Sequence, residues 1–278
     1  MKKIKQIVTI FAALALAVTA GLSFAGTKTK AAGSDEFTRT AIEIAADMGY
    51  GWNLGNTMEA TNTWTSNPKV TDFETAWGQP VTTKAMIDGI KKAGFNSIRI
   101  PVSWSNMMSS DGNYTIDASY FKRVDEIISY AFANDMYVII NDHYDGGWWE
   151  HFCGNKRDCM KHYKNMWTQV AGHYKDYSEK LIFESANEEL GDSLKKSLSK
   201  IDVNISDTAL YNLVNEINQT FVDIVRQSGG NNARRYLLIA GFNTDIDKTC
   251  SSLYEMPTDT ISNHLMVSVH YYTPWTYV

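Results

Sequence analysis

The chain has 278 residues, of which 44% are hydrophobic and 21% charged, and its formal net charge is −5. A chain of this length can bury one sizeable core, and its composition is not that of a disordered, collagenous or repetitive protein. Nucleic-acid-binding proteins concentrate Lys and Arg on one face, so the acidic balance argues against a nucleic acid as partner.

The N-terminus has the pattern of an export signal. A lysine-rich start precedes an apolar run from Ile7 to about Phe24, and small residues follow the run. The run is close to spanning length, so a membrane anchor is the alternative, but Ala, Thr and Gly dilute it and no basic stop-transfer cluster follows. We predict a signal peptide over residues 1–32, cleavage between Gly26 and Ser34, and a secreted protein without membrane contact after cleavage.

Short apolar runs typical of strands alternate with amphipathic stretches over residues 33–278. Six runs are candidate strands: Gly51–Leu54, Ser97–Val102, Tyr137–Asn141, Leu181–Glu184, Tyr236–Ala240 and Met266–His270. Apolar spacings of three and four predict helices near residues 86–93, 124–131, 166–174 and 213–224, with Thr82 or Thr83 as cap of the first. The alternation is typical of βα units on a parallel sheet, and no linker divides it, so we predict one domain.

Continuous apolar strands are buried on both faces, either in an open doubly wound sheet or in a closed (β/α)8 TIM barrel. Polar residues stand at the C-terminal ends of the runs, where barrel enzymes build their sites: Asn53, Arg99, His143, Asn187, Glu188, Asn243, His270, Tyr271 and Tyr272. No glycine-rich phosphate-binding turn follows the first run, so we expect no nucleotide cofactor. The sequence predicts an α/β barrel, of which about six of the eight βα units lie within the chain, because eight units need ~250 residues.

The cysteine count predicts at most one disulfide. Cys153 and Cys159 could close a short loop, and free thiols are the alternative, with Cys250 left over. His151 and His162 lie near these cysteines, but no histidines stand at ligand spacing beside them. We therefore expect no metal site and no cofactor.

Glu188 follows an apolar strand and is a candidate proton donor for glycoside hydrolysis. That reaction needs two carboxyl groups, one protonated to assist the leaving oxygen and one ionised. The alternative is a surface glutamate that caps the next helix. Strand alternation places Glu184 deeper on the same face and points Glu189 the other way. Asn187 beside Glu188 is suited to bind a sugar hydroxyl.

The tryptophan content also fits a sugar-binding cleft. The chain has eight tryptophans and is 12% aromatic, and sugar rings pack their C–H faces on flat side chains. We predict that Trp148 and Trp149 form a wall of the cleft, and that Trp275 and Asn53 also contact substrate. Core or loop packing is the alternative for each tryptophan.

These motifs resemble glycoside hydrolase family 5, the cellulase family, and particularly its broad-specificity β-glucanase branch. The resemblance runs from about Ala41 to Trp275 in six ordered segments: Gly51–Thr57, Glu74–Gly78, Gly94–Val102, Ile139–His143, Asn187–Glu188 and Val269–Tyr272. Six matches in order are much stronger than any one of them.

The resemblance implies a role for each of several site residues. Glu188 would be the acid/base, Arg99 would hold the nucleophile carboxylate, and four residues would bind the sugar or complete the site: His143, Asn187, His270 and Tyr272. An arginine keeps a nearby carboxylate ionised, whereas Glu188 needs a raised pKa to stay protonated near neutrality. The family's nucleophile is a glutamate after the seventh strand, so we expect it beyond residue 278 and expect this chain alone to be inactive.

Two local departures from the family pattern occur near these residues. Tyr144 stands where the family often has a second histidine, and Glu189 stands where it often has proline. We expect these changes to tune Glu188 or the binding of sugar units.

The resemblance implies a retaining endo-β-1,4-glucanase that acts as a monomer on cellulose or a related β-glucan. Xyloglucanase, lichenase, mannanase or xylanase activity on the same fold is an alternative, because loops select the polymer. A non-catalytic carbohydrate-binding barrel is the alternative from a different class.

Overall fold

The computed structural model describes residues 36–196, 202–274 and 276. The predicted signal peptide and Trp275 lie outside the described residues. Six strands form one sheet: β1 Gly51–Asn53, β2 Ser97–Ile100, β3 Tyr137–Ile140, β4 Leu181–Glu184, β5 Leu237–Ala240 and β6 Leu265–Ser268. All six predicted strands are confirmed, with small shifts at their ends.

The strand order decides between the two predicted sheet types. Each strand pairs in parallel with the next one along the chain, from β1 to β6, without reversal. A doubly wound sheet reverses its order at a switch point, whereas a barrel does not. Within the described residues β1 pairs only with β2 and β6 only with β5, so the structure is a parallel-strand half-barrel.

Helices connect the strands: α1 Ala41–Met48, α2 Val70–Glu74, α3 Lys84–Lys92, α4 Ala118–Phe132, α5 Lys156–Tyr174, α6 Asp207–Gln227 and α7 Ile246–Thr249. The helices α3 to α6 are those predicted from apolar spacing. Thr83 rather than Thr82 caps α3, since its side chain accepts from the backbone N–H of Met86. Among the described residues, no helix combines the length and apolarity needed to span a membrane.

The helix α1 was not predicted, and it closes the N-terminal end of the sheet. Thr40 and Glu43 form a reciprocal capping box at its start, a signal that the sequence did contain. A separate apolar cluster forms between the start of the chain and the strands: Phe37, Ala41, Ile44, Tyr137, Ile182 and Tyr236. Because this end is filled, the opposite end of the strands is the one available to a ligand.

Burial of the strands differs between the centre and the edges of the sheet. The strands β2 to β5 are buried or nearly so, as predicted. The prediction is wrong for β1, whose three residues are all exposed, and most of β6 is only partly buried. Each of these two strands pairs on one side only within the described residues, so it has fewer neighbours to cover it.

All three cysteines are free thiols. The predicted loop between Cys153 and Cys159 is therefore not closed by a disulfide. Cys159 lies in the first turn of α5, where its thiol points to the backbone carbonyl of Trp148 at 3.7 Å. That contact directs the sulfur into the core.

Candidate active site

A cleft of about 1200 Å³ lies at the C-terminal ends of the strands. Seven of the ten predicted site residues line it: Asn53, Arg99, His143, Asn187, Glu188, His270 and Tyr272. They come from β1, from β2 and from the segments after β3, β4 and β6. The structure thus brings together residues that are as much as 219 positions apart, Asn53 to Tyr272.

Arg99 is the centre of the hydrogen-bond network in this cleft. Its Nε donates to Glu184 Oε2 at 2.7 Å, its Nη1 to Asn53 Oδ1 at 3.0 Å and its Nη2 to Asn187 Oδ1 at 2.8 Å. One guanidinium thereby fixes side chains from β1, from β4 and from the loop after β4. The carboxylate that it holds among the described residues is Glu184, so its predicted contact with a nucleophile stays a prediction.

Glu184 is a buried anchor beneath the cleft, deeper than Glu188 as predicted. Besides Arg99, it accepts from Asn141 Nδ2 at 3.0 Å and from Ser268 Oγ at 2.8 Å. Its anchoring role was missed by the sequence reasoning. A usable signal existed, because a glutamate inside an apolar strand must be paired when it is buried.

Glu188 lies higher in the cleft, with 43% of its side chain exposed. Its Oε1 accepts from His270 Nδ1 at 2.6 Å and from the Tyr272 hydroxyl at 2.5 Å. The hydrogen bond from His270, with help from that of Tyr272, lowers the pKa of Glu188 to about 2. The predicted rise in pKa is therefore wrong for this arrangement, because a rise needs deeper burial or a close like charge.

His143 borders the cleft as a neutral imidazole. Burial, with the positive charge of Arg99 as a second cause, lowers the pKa of His143 to about 3. Its backbone is fixed to the loop after β2, since its N–H donates to Val102 O at 3.0 Å and its carbonyl accepts from Ser103 Oγ at 2.9 Å. A neutral imidazole can donate and accept at once, which suits binding of a sugar hydroxyl.

Trp148 and Trp149 do not line the cleft, so the prediction that they form its wall is wrong. Trp149 is fully buried, and the two indole rings stack with their centroids 4.4 Å apart. Trp148 also stacks on His162, which stacks on Tyr114 in turn, so His162 is a packing residue. The preceding Gly146-Gly147 pair has φ of 75° and 80°, and this left-handed turn directs both indoles inward.

Three aromatic residues that line the cleft, Trp52, Phe95 and Tyr271, had not been assigned as site residues. Trp52 is 45% exposed and Tyr271 is 71% exposed, and Phe95 packs edge-on against Trp52. Large exposed aromatics at a cleft provide flat apolar surfaces for sugar rings. The sequence signal was weak, because exposure of β1 could not be foreseen from an apolar strand.

A second cavity of about 320 Å³ lies on the other side of Glu188. Its lining includes both residues that depart from the family pattern, Tyr144 and Glu189. Glu189 is buried and does not line the larger cleft, which confirms that it points away from Glu184 and the cleft. Burial raises the pKa of Glu189 to about 7.

A buried pair of carboxyl groups supports the loop after β3. Asp145 accepts from the N–H and the hydroxyl of Ser105, at 2.7 and 2.6 Å, and from Trp148 Nε1 at 2.8 Å. Among the described residues neither oxygen of Asp142 has a hydrogen-bond donor, and burial, with the nearby charge of Asp145, raises the pKa of Asp142 well above its usual range. Burial raises the pKa of Asp145 as well, but its three hydrogen bonds oppose that rise, so the pair as a whole binds a proton more readily than an exposed carboxyl group does.

Comparison with known proteins decides the family. The family model for cellulase (glycosyl hydrolase family 5) matches residues 58–278. The chain belongs to glycosyl hydrolase family 5. The curated family 5 relative Endoglucanase A from Paenibacillus barcinonensis is 41% identical over 281 residues, which cover 96% of this chain and 66% of that protein.

Solved structures give the same family. A broad specificity endoglucanase from Ruminococcus champanellensis with bound cellotriose has a TM-score of 0.77 at 38% identity, covering 87% of this chain and 69% of that one. A family 5 lichenase mutant from Caldicellulosiruptor sp. F32 with cellotetraose has a TM-score of 0.76 at 38% identity, covering 88% and 66%. This family 5 chain spans 66%, 50% and 44% of three curated endoglucanases that it matches.

The hydrogen bonds from His270 and Tyr272 should keep the pKa of Glu188 low in this family 5 site. We expect His270→Ala to raise the Glu188 pKa from about 2 toward its ordinary 4.5, and Tyr272→Phe to raise it less, because His270 is the stronger cause. Carbon-13 NMR titration of the Glu188 carboxyl group measures both values. A pKa unchanged in His270→Ala would contradict the assignment.

Asp142 should contribute to a fall in stability with rising pH, as should Asp145 and Glu189, whose pKa values burial also raises. The folded state keeps a proton on such a buried group that the unfolded chain releases above about pH 4, so the free energy of unfolding decreases as pH rises. We expect Asp142→Asn to flatten this decrease between about pH 5 and pH 8, measured by urea denaturation. The exposed Asp223→Asn is the control, and parallel curves for Asp142→Asn and the unmutated protein would contradict the prediction.

Proposed function

We propose that this family 5 protein is an endo-β-1,4-glucanase that hydrolyses cellulose or a related β-glucan with retention of configuration. The observation that carries the proposal is the placement of Glu188. It lies half-exposed in an open cleft, with His270 and Tyr272 on its carboxylate and the Arg99 network beside it. The relatives are named as endoglucanases and a lichenase, which supports the same polymer class.

Glu188 is assigned two proton transfers. As an acid it protonates the glycosidic oxygen while the C1–O bond breaks and a nucleophilic carboxylate bonds to C1. As a base it then takes a proton from the water that attacks C1 and releases that carboxylate. The hydrogen bonds from His270 and Tyr272 favour the ionised form that the second transfer needs.

The first transfer needs the protonated form of Glu188. A like charge within ~4–6 Å raises a carboxyl pKa, and a nucleophile at the retaining distance of ~5 Å supplies such a charge. Two other carboxylates border the cleft, but Glu184 is held by Arg99 and Glu59 accepts from the backbone N–H groups of Asn56 and Thr57. The proposal therefore includes a nucleophilic glutamate that is not among the described residues.

The cleft is open, so it can bind an internal stretch of a long polysaccharide chain. Trp52 in the edge strand β1, and Tyr271 and Tyr272 after the edge strand β6, provide exposed aromatic surface in the cleft. A sugar ring at the cleavage point would contact His143 and Asn187. Neither residue carries a net charge in this site, which fits a neutral polysaccharide rather than an acidic one.

Two further statements belong to the proposal. We infer that the six strands are six units of a (β/α)8 barrel, which the unbroken strand order and the position of the cleft support.

We also infer that the protein is exported, since residues 1–32 have the pattern of a signal peptide. We expect the protein recovered from culture medium to begin between Gly26 and Ser34, which N-terminal sequencing checks.

The proposed function is tested by Glu188→Gln in the protein as its complete gene encodes it. We expect hydrolysis of a β-glucan to fall by about 10²- to 10⁴-fold, because general acid–base catalysis is worth that much. Glu216→Gln, on the outer face of α6, is the matched control and should keep its activity. Reducing-sugar release from carboxymethylcellulose, lichenan, xyloglucan, mannan and xylan also identifies the preferred polymer.

Two results would overturn the proposal. Equal activity in Glu188→Gln and the unmutated protein would show that the hydrolysis does not use this carboxyl group. An unmutated protein that binds β-glucan but releases no reducing sugar would favour the carbohydrate-binding barrel.

A further inference from the structure

Glu189 joins the two loops that carry predicted catalytic residues. Its Oε1 accepts from the backbone N–H of Tyr144 at 2.7 Å, and its Oε2 accepts from the backbone N–H of Asn187 at 3.1 Å. Tyr144 follows His143 directly in the loop after β3, and Asn187 precedes Glu188 in the loop after β4. A single carboxyl group therefore sets the spacing of the two loops.

The loop after β3 needs a stabilising contact of this kind because its backbone is strained. Tyr144 and Asp145 have φ of 47° and 51°, so two consecutive residues with side chains occupy the left-handed region. Each such residue costs about 1 kcal/mol or more and persists only where its surroundings hold it. On one side His143 is bonded to the loop after β2, and on the other side Glu189 holds Tyr144.

Glu189 makes its two hydrogen bonds from a buried position beside the site. Glu189 is 8% exposed and lines the second cavity together with Glu188. Burial, with the negative charge of Glu188 as a smaller cause, raises the Glu189 pKa to about 7. A carboxyl group in such a place is costly, so its two hydrogen bonds to backbone are its compensation.

We propose that Glu189 is a positioning residue of the proposed hydrolase site. It holds the loop that carries His143 at a fixed distance from the loop that carries Asn187 and Glu188. The proposal rests on the proposed function. It assigns Glu189 no contact with substrate and no proton transfer. Glu189 affects the reaction only because it fixes the positions of His143 in one loop and of Asn187 and Glu188 in the other.

The test compares Glu189→Gln and Glu189→Ala with the same changes at Glu179, in the protein as its complete gene encodes it. Glu179 is also buried and also accepts from a backbone N–H, that of Phe37, but it precedes β4 at the closed end of the sheet. Glutamine keeps one acceptor and loses one of the two ties, whereas alanine loses both. The Glu179 variants therefore report a loss of stability without a change at the site.

We expect kcat on a soluble β-glucan to fall about 10-fold in Glu189→Gln and about 100-fold in Glu189→Ala, because small displacements of catalytic groups have effects of that size. KM should change less than about 2-fold, since the aromatic surface of the cleft is untouched. The Glu179 variants should keep kcat within about 2-fold at a temperature where all variants are folded. An unchanged kcat in Glu189→Ala would overturn the proposal.

A second measurement does not depend on turnover. Hydrogen exchange followed by NMR should accelerate at least about 10-fold at the amides of Tyr144 and Asn187 in Glu189→Ala, but not at Val138 within β3. Equal acceleration at Val138 would indicate general unfolding and would overturn the positioning role. If the unmutated protein has no glucanase activity, the proposed function fails, and the exchange rates still decide whether Glu189 ties the loops.

Discussion

The arrangement of the cleft depends on the buried ion pair between Arg99 of β2 and Glu184 of β4. Two charges placed inside a sheet are costly unless each is paired and fully hydrogen-bonded. Here Glu184 accepts from Arg99, Asn141 and Ser268, and Arg99 also donates to Asn53 and Asn187. The pair thus links β1, β2 and β4 with the end of β3 and with β6. The same contacts that link these strand ends also form part of the cleft in which Glu188 lies.

Environment gives two adjacent glutamates different chemistry. Glu188 is half-exposed and accepts from His270 and Tyr272, which lower its pKa to about 2. Glu189 is buried, and its pKa is raised to about 7. The two side chains leave the loop in opposite directions, one toward the cleft and one toward the body of the protein. The residue type alone would have predicted the same pKa for both glutamates.

Much of the fold and of the site was predictable because both depend on local patterns. Apolar runs located all six strands, and apolar spacing located α3 to α6. Polar residues at strand ends identified seven residues that line the cleft. The errors concern direction and burial. Trp148 and Trp149 turn inward after two left-handed glycines, and Trp52 is exposed because β1 pairs on one side only. Neither property is encoded in the spacing of residues along the chain.

The sequence by itself determined the family, the positions of the six strands along the chain and the identity of Glu188 as the carboxyl group to consider. Apolar runs, apolar spacings of three and four, and ordered motifs are properties of the chain, so they can be recognised without coordinates. Only the tertiary structure decided which partner each polar atom has. It assigned Glu184 to Arg99, gave Glu188 two donors, and tied Tyr144 and Asn187 to Glu189. Four of those contacts join residues 45 to 85 positions apart, and the fifth joins residues two positions apart; pKa values follow from such contacts rather than from sequence.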